Sequence, residues 1–238
     1  MNARERMLGR LRAAAPAQVS GDDLKRLDDG IDLHYDGRRT ALPTQTLVES
    51  MQAALTASHA EVFRATERTW PALIAQRLQQ ANVQRLLLDT SRAEGAALQQ
   101  ALPPSVATRN YDQPIEHWKA ELFDTIDAGF TVARSGLAAT GTLIVAPDAG
   151  SPRTMSLVPP LHIALVYAHT LHADLHAAMR AEQWQAGMPT NLVMISGPSK
   201  TSDIQQTLAY GAHGPRELWV VIVEHQADNA ALKHGDAA

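Results

Sequence analysis

Leu161-His-Ile-Ala-Leu-Val-Tyr167 and Glu217-Leu-Trp-Val-Val-Ile-Val-Glu224 are the stretches that decide the fold of this chain. Both are short, nearly continuous runs of apolar residues, and Asn191-Leu-Val-Met-Ile-Ser196 is a third run of the same kind. Strands that are buried on both faces have this composition, because the side chains on each side of the sheet meet a hydrophobic layer. We therefore predict buried strands at 161–167, 191–196 and 217–224.

Helical patterns alternate with further strands outside these runs. Leu47, Met51 and Leu55 are spaced by four within residues 44–57, and Pro71 stands in the first turn of a helix predicted over 66–82, where proline is tolerated. Further helices are predicted at 114–123, 169–186 and 202–210, and further strands at 60–64, 83–88, 105–109, 129–134 and 142–146. Such alternation predicts an α/β fold in three layers, with helices on both faces of one sheet.

The chain divides into three predicted parts. Residues 1–43 begin with an amphipathic helix over 2–14, and residues 15–43 continue as a polar arm broken by glycine and proline. Such an arm is either mobile or packed on a partner subunit. Residues 44–226 form the α/β domain, and the polar, alanine-rich residues 227–238 form a frayed tail.

Composition excludes several classes of function. The 238 residues carry 21 basic and 25 acidic side chains, so no strongly basic surface indicates a nucleic-acid partner. Because cysteine is absent, the chain has no disulfide, no thiolate nucleophile and no thiolate ligand for zinc or an iron–sulfur cluster. No apolar run approaches the roughly 18 residues of a membrane span, and no signal-peptide pattern opens the chain. We expect a cytoplasmic protein.

Two loops carry candidate ligand-binding residues between the predicted strands. Thr140, Gly141 and Thr142 place two hydroxyls beside a flexible glycine; the alternative is a tight connection between neighbouring strands. Arg153 is the sole Lys or Arg between Arg134 and Arg180 and suits a carboxylate or phosphate, or else pairs at the surface with Asp148.

The segment after the strand at 191–196 is the most informative. A strand, a turn rich in glycine and hydroxyl residues and a helix start form a ready anion site, to which Lys200 adds charge. The alternative is a capped helix start that needs no ligand. The candidate ligand-binding residues of this segment are Gly197, Ser199, Lys200, Thr201, Ser202 and Asp203.

Two histidines are candidate acid–base groups. His162 stands at a strand start behind Pro159-Pro160, and His213 lies in the turn Gly211-Ala-His-Gly-Pro215, where Gly214 is a further candidate ligand-binding residue. Structural or solvated histidines are the alternative for both. His169, His172 and His176 recur along one face of the helix predicted at 169–186, and we interpret them as a boundary beside the core and not as a metal site.

The segments GPSKTSDI, residues 197–204, and GAHGP, residues 211–215, together resemble the lactate-utilisation (LUD) domain family. ATGT at residues 139–142, Arg153 and the PP-H stretch ending at His162 follow the order and spacing of the same family. The resemblance covers roughly residues 40–224 and is nearest to the short protein C branch. One departure is Ala139, since members of the family often have an acidic residue immediately before the TGT.

The resemblance implies a fold similar to that of sugar-phosphate isomerases and CoA transferases. It also implies a role in L-lactate oxidation to pyruvate, as a subunit that binds a small carboxylate or organises iron–sulfur partner proteins. This chain itself would bind no cofactor. The alternatives are a free-standing enzyme acting on a sugar phosphate or acyl-CoA, in keeping with a phosphate ligand, and an assembly module that binds no ligand.

Overall fold

The computed structural model describes residues 3–14, 20–36, 42–201 and 209–225. The chain divides into two compact units, Met1–Ala41 and Leu42–Ala238. The first unit contains the helices α1 (Ala3–Ala13) and α2 (Gly21–Asp36). The predicted helix over 2–14 is therefore confirmed, and the predicted tail over 227–238 lies outside the described residues.

The prediction of an extended arm is wrong for Gly21–Asp36, which is helical. The backbone N–H of Asp23 donates to Ser20 Oγ at 3.1 Å, and Ser20 Oγ donates to the Asp23 carboxylate at 2.7 Å. This reciprocal cap satisfies an N-terminal amide that would otherwise lack a partner. Leu24, Leu27 and Ile31 then recur at helical spacing, so the glycines at 21 and 30 do not interrupt the helix.

The second unit is a mixed α/β structure. Its helices are α3 (Thr44–Ala57), α4 (Trp70–Gln80), α5 (Ala93–Ala101), α6 (Lys119–Asp124), α7 (Arg153–Leu157) and α8 (Leu175–Ala181). Its strands are β1 (Glu61–Thr66), β2 (Arg85–Leu87), β3 (Ala107–Arg109), β4 (Ala128–Val132), β5 (Ser135–Leu137), β6 (Thr142–Val145), β7 (Leu161–Tyr167), β8 (Leu171–His172), β9 (Val193–Ile195), β10 (Lys200–Thr201), β11 (Ala209–Tyr210) and β12 (Glu217–Glu224).

The central sheet has the order β1-β12-β7-β4-β2-β3, and its neighbouring strands run parallel. Alternate side chains of β7 and β12 enter two different cores. Ile163 and Val221 pack with α4 and α5 on one face, whereas Ala164 and Val220 pack with α3 on the other. The predicted α/β class, with helices on both faces of a sheet, is confirmed, and the structure adds that the central sheet is parallel.

A second, smaller sheet covers the α3 face and was not predicted. Its order is β8-β5-β6-β9, and Leu143 and Val145 of β6 enter the same core as α3. β9 pairs with β6 at the edge of this sheet, so its residues are half-buried or exposed. The prediction that 191–196 is buried on both faces is therefore wrong, because an edge strand of a surface sheet lacks a second covering layer.

The helix predicted over 169–186 is correct only for Leu175–Ala181 and wrong on either side of that range. Residues Ala168–Thr170 form a 3₁₀ turn, and β8 pairs with β5 before the chain becomes helical. The Asp174 carboxylate accepts from the Ala177 N–H at 2.7 Å and caps α8 at its true start. His169, His172 and His176 consequently lie on three different elements and share no helical face.

The end of the predicted helix over 202–210 is also wrong. Ala209–Tyr210 is a strand that pairs antiparallel with Lys200–Thr201. Gly211 follows this strand with a φ of +80°, which glycine adopts without the steric conflict that a Cβ introduces. Residues 202–208, which contain the proposed helix start, lie outside the described part of the chain.

Candidate functional site

A cavity of about 210 Å³ lies where β7 and β12 begin, with His162 and Leu218 side by side in their parallel pairing. We call the side formed by Ser156, Leu157, His162 and Leu218 the inner wall. We call the side formed by residues 193–199 and 213–215 the outer wall. The cavity therefore lies at the amino ends of the central strands, whereas ligands of open α/β sheets usually gather at the carboxyl ends.

His162 is the polar centre of the inner wall. Its side chain is 1% exposed, its Nε2 lies 2.8 Å from Thr131 Oγ1, and its Nδ1 has no hydrogen-bond partner. Burial lowers the pKa of His162 to about 3, so the ring is neutral at pH 7. A neutral imidazole has one donor and one acceptor nitrogen, and the bond to Thr131 uses Nε2, so the buried Nδ1 is left without a partner in the protein.

Helix α7 brings Ser156 and Leu157 to the inner wall. Gly129 of β4, the register partner of His162, permits this approach: a Cβ on Gly129 would lie 2.1 Å from the Met155 carbonyl oxygen. Ser156 is buried, and its hydroxyl donates to the Arg153 carbonyl at 3.0 Å. The hydroxyl oxygen retains acceptor capacity.

The segments GPSKTSDI and GAHGP, which carry the family resemblance, meet in the outer wall of the cavity. The Ser199 N–H donates to the Pro215 carbonyl at 2.8 Å, and the Gly211 N–H donates to the Ser199 carbonyl at 3.0 Å. These bonds join residues 197–201 to residues 209–215 and leave the exposed His213 at the cavity. The same contact explains why residue 214 is a glycine, since a Cβ there would lie 3.1 Å from the Ser199 Cβ.

The strand starts are tied together behind the cavity. The Pro160 carbonyl accepts from the N–H groups of Arg216 at 2.8 Å and of Glu217 at 3.1 Å. The start of β12 is therefore fixed against the start of β7. This arrangement holds the turn that carries His213 close to the strand that carries His162.

The threonine loop reaches the cavity indirectly. Thr142 Oγ1 lies 2.7 Å from Thr140 Oγ1 and 2.8 Å from the Oγ of Ser196, a residue of the outer wall. Gly141 has a φ of +61°, and a Cβ there would lie 2.7 Å from the Leu55 N of α3. Thr140, Gly141 and Thr142 thus form a packed turn between β5 and β6 and do not themselves line the cavity.

The structure gathers some of the predicted site residues and separates others. His162, Gly197, Ser199, His213 and Gly214 line the one cavity. Besides Thr140, Gly141 and Thr142, the predicted ligand-binding residues that fall outside its lining are Arg153, which is exposed at the start of α7, Lys200, which is exposed on β10, and Thr201. Asp148 pairs with Arg92, so the alternative partner that we considered for Arg153 is wrong. Ser202 and Asp203 lie outside the described residues.

Sequence reasoning missed three polar residues of this region. Thr131 contacts the ring of His162, Ser156 lies on the inner wall, and Ser196 connects the wall to the threonine loop. Alternation along β4 places Thr131 on the same face as Gly129, the register partner of His162. Ser156 gives no comparable signal, because it lies on a five-residue helix.

A second polar cluster surrounds Glu182 away from the cavity. Its carboxylate accepts from the hydroxyl of Ser135, from Trp184 Nε1 at 2.9 Å and from Arg134 Nε at 2.7 Å. Burial alone would raise the pKa of the Glu182 carboxyl, but these hydrogen bonds and the nearby positive charge lower it overall. The bonds from Ser135 and the adjacent Arg134 connect the second sheet to the segment after α8, and the bond from Trp184 is internal to that segment, so the cluster has a structural role.

The composition of the lining defines what the cavity can bind. Its polar groups are imidazoles, hydroxyls and backbone groups, and no Lys or Arg is among the lining residues in the described part of the chain. Leu157, Val193, Ile195 and Leu218 supply apolar surface. At about 210 Å³ the cavity is smaller than the roughly 300–1,000 Å³ clefts of drug-sized ligands. It suits a small molecule with one hydrogen-bonding end and a short apolar part.

Neither a metal-binding cluster nor a membrane-spanning helix is present in the part of the chain that the structure describes. Within residues 3–14, 20–36, 42–201 and 209–225, no group of three or more His, Asp or Glu side chains could hold a metal ion. Over the same ranges, no helix is long and apolar enough to span a membrane.

The segments that form the outer wall of the cavity are those that resemble the LUD domain family. The LUD domain family model matches residues 48–223, which include both cavity walls, and the chain belongs to this family. The resemblance read from GPSKTSDI and GAHGP is thereby confirmed.

Individual relatives agree with the family assignment. An uncharacterized protein of Neisseria meningitidis serogroup B is 36% identical over 94% of both chains. A lactate utilization protein C of Shouchella clausii is 33% identical over 107 residues, which are 44% of this chain and 47% of that protein. The chain thus aligns with less than half the length of this second relative.

A solved structure supports the fold. The crystal structure of a DUF162 family protein from Deinococcus radiodurans has a TM-score of 0.59 and 22% identity. The similarity covers 76% of this chain and 99% of that one. At this identity the likeness establishes a common fold and nothing further.

Proposed function

We propose that this LUD-family protein takes part in lactate utilisation, as a component that binds a small 2-hydroxy or 2-oxo carboxylate in the cavity between its two walls. The observation that carries the ligand assignment is the unpartnered Nδ1 of His162, which is buried in a ring that lines the cavity. A buried polar atom without a partner costs about 1–3 kcal/mol, and a ligand oxygen there would recover part of that free energy.

The lining favours a small carboxylate over the larger alternatives. His162 and His213 come from opposite walls, so two imidazoles can contact oxygens at one end of the same molecule. Leu218 and Val193 can cover a short apolar group such as a methyl. Phosphate esters are usually held by Lys or Arg, which the described lining does not contain, so a sugar phosphate or acyl-CoA substrate fits this cavity less well.

The electrons released when lactate is oxidised would pass to other proteins. Oxidation of lactate to pyruvate removes two electrons, and this chain has no cysteine with which to ligate an iron–sulfur cluster. Its residues therefore do not fit such a cluster, and we propose that iron–sulfur partner proteins accept the electrons. In that arrangement the present chain binds or presents the carboxylate.

Calorimetric titration of the full chain tests the ligand. Lactate and pyruvate are compared with propionate, which lacks the oxygen on carbon 2, and with inorganic phosphate. We expect the 2-oxygenated acids to bind more tightly than propionate. Substitutions His162→Gln and His213→Gln should each weaken binding about tenfold, the equivalent of about 1.4 kcal/mol.

The matched control is His169→Gln, because His169 is an exposed histidine outside the cavity lining. Absence of binding to both acids, or equal weakening by His169→Gln, would remove the ligand assignment. A separate assay tests the pathway: lactate-dependent dye reduction by the iron–sulfur partners, purified anaerobically with and without this chain. Activity that is the same without it would contradict a role in lactate oxidation.

A further inference from the structure

The helices of the first unit expose apolar faces. On α1, Met7, Leu8 and Leu11 are exposed and fall within roughly 100° of one another around the helix. Large exposed apolar side chains grouped on one face usually mark a contact surface. The stripe on α1 is therefore a candidate for an interface.

A second stripe lies on α2. Leu24, Leu27 and Ile31 are exposed and lie within roughly 60° of one another around this helix. The side chains of both stripes are exposed in the part of the chain that the structure describes. A partner must bury them if they are to contribute to stability.

The two helices carry opposite charge. α1 has four arginines and one glutamate, whereas α2 has six aspartates against Lys25 and Arg26. A surface of this kind is complementary to itself: the basic helix of one copy matches the acidic helix of another. A two-fold symmetric dimer needs this property, because the same patch then contributes to both sides of the interface.

We infer that the first unit is a dimerisation element in which α1 of one chain packs on α2 of a second copy, and α2 packs on the partner's α1. Each pair joins an apolar stripe to an apolar stripe, and the arginines of α1 flank the aspartates of α2. The interface comprises four helices, two from each copy. The inference does not depend on the cavity or on its ligand.

Charge reversal tests this pairing directly. One variant carries Arg6→Glu, Arg10→Glu and Arg12→Glu, so that both of its helices are acidic. The other carries Asp28→Lys, Asp29→Lys and Asp32→Lys, so that both of its helices are basic. Light scattering after size exclusion should give twice the mass of one chain for the unmodified protein and the mass of one chain for each variant alone.

An equimolar mixture of the two variants should restore the dimer, because each acidic helix then meets a basic helix from the other chain. Restoration is the outcome specific to pairing between copies. If the reversals disturbed only helix folding, mixing would not reverse the effect. Circular dichroism of each variant reports whether the helices are retained.

The apolar part of the interface has a matched control within α2. Leu27→Asp should reduce the dimer at least tenfold in association constant, whereas Leu33→Asp should leave it unchanged. Leu33 is 77% exposed against 62% for Leu27, and it lies on the side of α2 opposite to Leu24.

Three results would overturn the inference. They are a single-chain mass for the unmodified protein, failure of the mixed variants to associate, and equal effects of Leu27→Asp and Leu33→Asp. In the first case the stripes serve a different protein or a contact within one chain. None of these results would bear on lactate binding, which the calorimetric titration measures separately.

Discussion

The inner and outer walls of the cavity are built in different ways. The inner wall contains His162 and Leu218, which are 1% and 2% exposed and belong to the central parallel sheet. The outer wall contains the exposed Ser196, which follows the edge strand β9, and the exposed His213, which lies in a turn. A few backbone hydrogen bonds join these two segments. Because of this difference, we expect substitutions in the inner wall to change both stability and ligand contact, and substitutions in the outer wall to change ligand contact only.

The largest effect should come from Gly129→Ala, which breaks the support of the inner wall. The new Cβ would meet the backbone oxygen of Met155, and no side-chain rotation can relieve that contact. We expect a loss of about 3 kcal/mol or more in the free energy of unfolding, measured by denaturant titration. The control is Gly187→Ala, where the added Cβ meets nothing within 4 Å. Similar losses of unfolding free energy in the two variants would contradict the close packing of α7 against Gly129 of β4.

Thr131→Val should have the next largest effect. The substitution keeps the shape of the side chain but removes the hydroxyl that contacts the buried Nε2 of His162. Because the ring would then have two nitrogens without a protein partner, we expect a loss of about 1–3 kcal/mol. Thr56→Val, at an exposed position of α3, should change stability by less than about 0.5 kcal/mol. A loss at Thr131 as small as that at Thr56 would show that this hydrogen bond is dispensable.

The pH dependence of stability should reveal the buried neutral histidine. The pKa of His162 is about 3 in the folded protein, against an ordinary value of 6.5. As the pH falls below 6.5, the unfolded chain binds a proton that the folded chain excludes, so the free energy of unfolding decreases between these two values. The slope from this one group is up to about 1.4 kcal/mol per pH unit.

Substitution His162→Gln removes that contribution while leaving the other titrating groups in place. Stability of the variant should therefore decline less steeply between about pH 6 and pH 4. The comparison requires denaturant titrations of both proteins across this range. Identical slopes would mean that His162 takes up its proton in the folded protein as readily as in the unfolded chain.

The smallest effect on stability should come from the outer wall. His213→Ala removes an exposed ring in a turn, so we expect a change of less than about 0.5 kcal/mol in the free energy of unfolding. Ligand binding by the same variant should still weaken, as for His213→Gln. A large loss of stability would show that the outer wall is as integral to the fold as the inner wall, and the distinction between them would fail.

The elements that the sequence predicts well are those whose burial is uniform. The runs at 161–167 and 217–224 correspond to β7 and β12, because a strand covered on both sides is apolar throughout. The second sheet was missed because β5 and β8 have three and two residues and give no periodic pattern. The helix predicted over 169–186 begins in fact at Leu175. Asp174 indicates this start in the sequence, because aspartate is a preferred N-cap residue.

The site residues also divide into those that the sequence predicts and those that it does not. The motif residues Gly197, Ser199 and Gly214 were identified from sequence, and the structure brings them to one cavity with both histidines. Arg153 and Lys200 were chosen for their charge and for their place in the resembling segments, and neither feature determines whether a side chain lines the cavity. Alternation along β4 indicates the face on which Thr131 lies but not its contact with His162, which comes from a strand distant in the chain. Ser156 could not be identified from the sequence, because its place at the cavity depends on the packing of α7 against β4.

The position of β12 has a consequence for how the protein is made. β1 ends at Thr66 and pairs in the sheet with β12, which begins at Glu217 and separates β1 from β7. During synthesis β1 therefore has no partner strand until β12, near the end of the α/β unit, has left the ribosome. Contacts between such distant segments slow folding, and an unpaired strand is prone to aggregation. We therefore expect a nascent chain that stalls before Glu217 to expose the edge of β1 that β12 covers in the finished sheet.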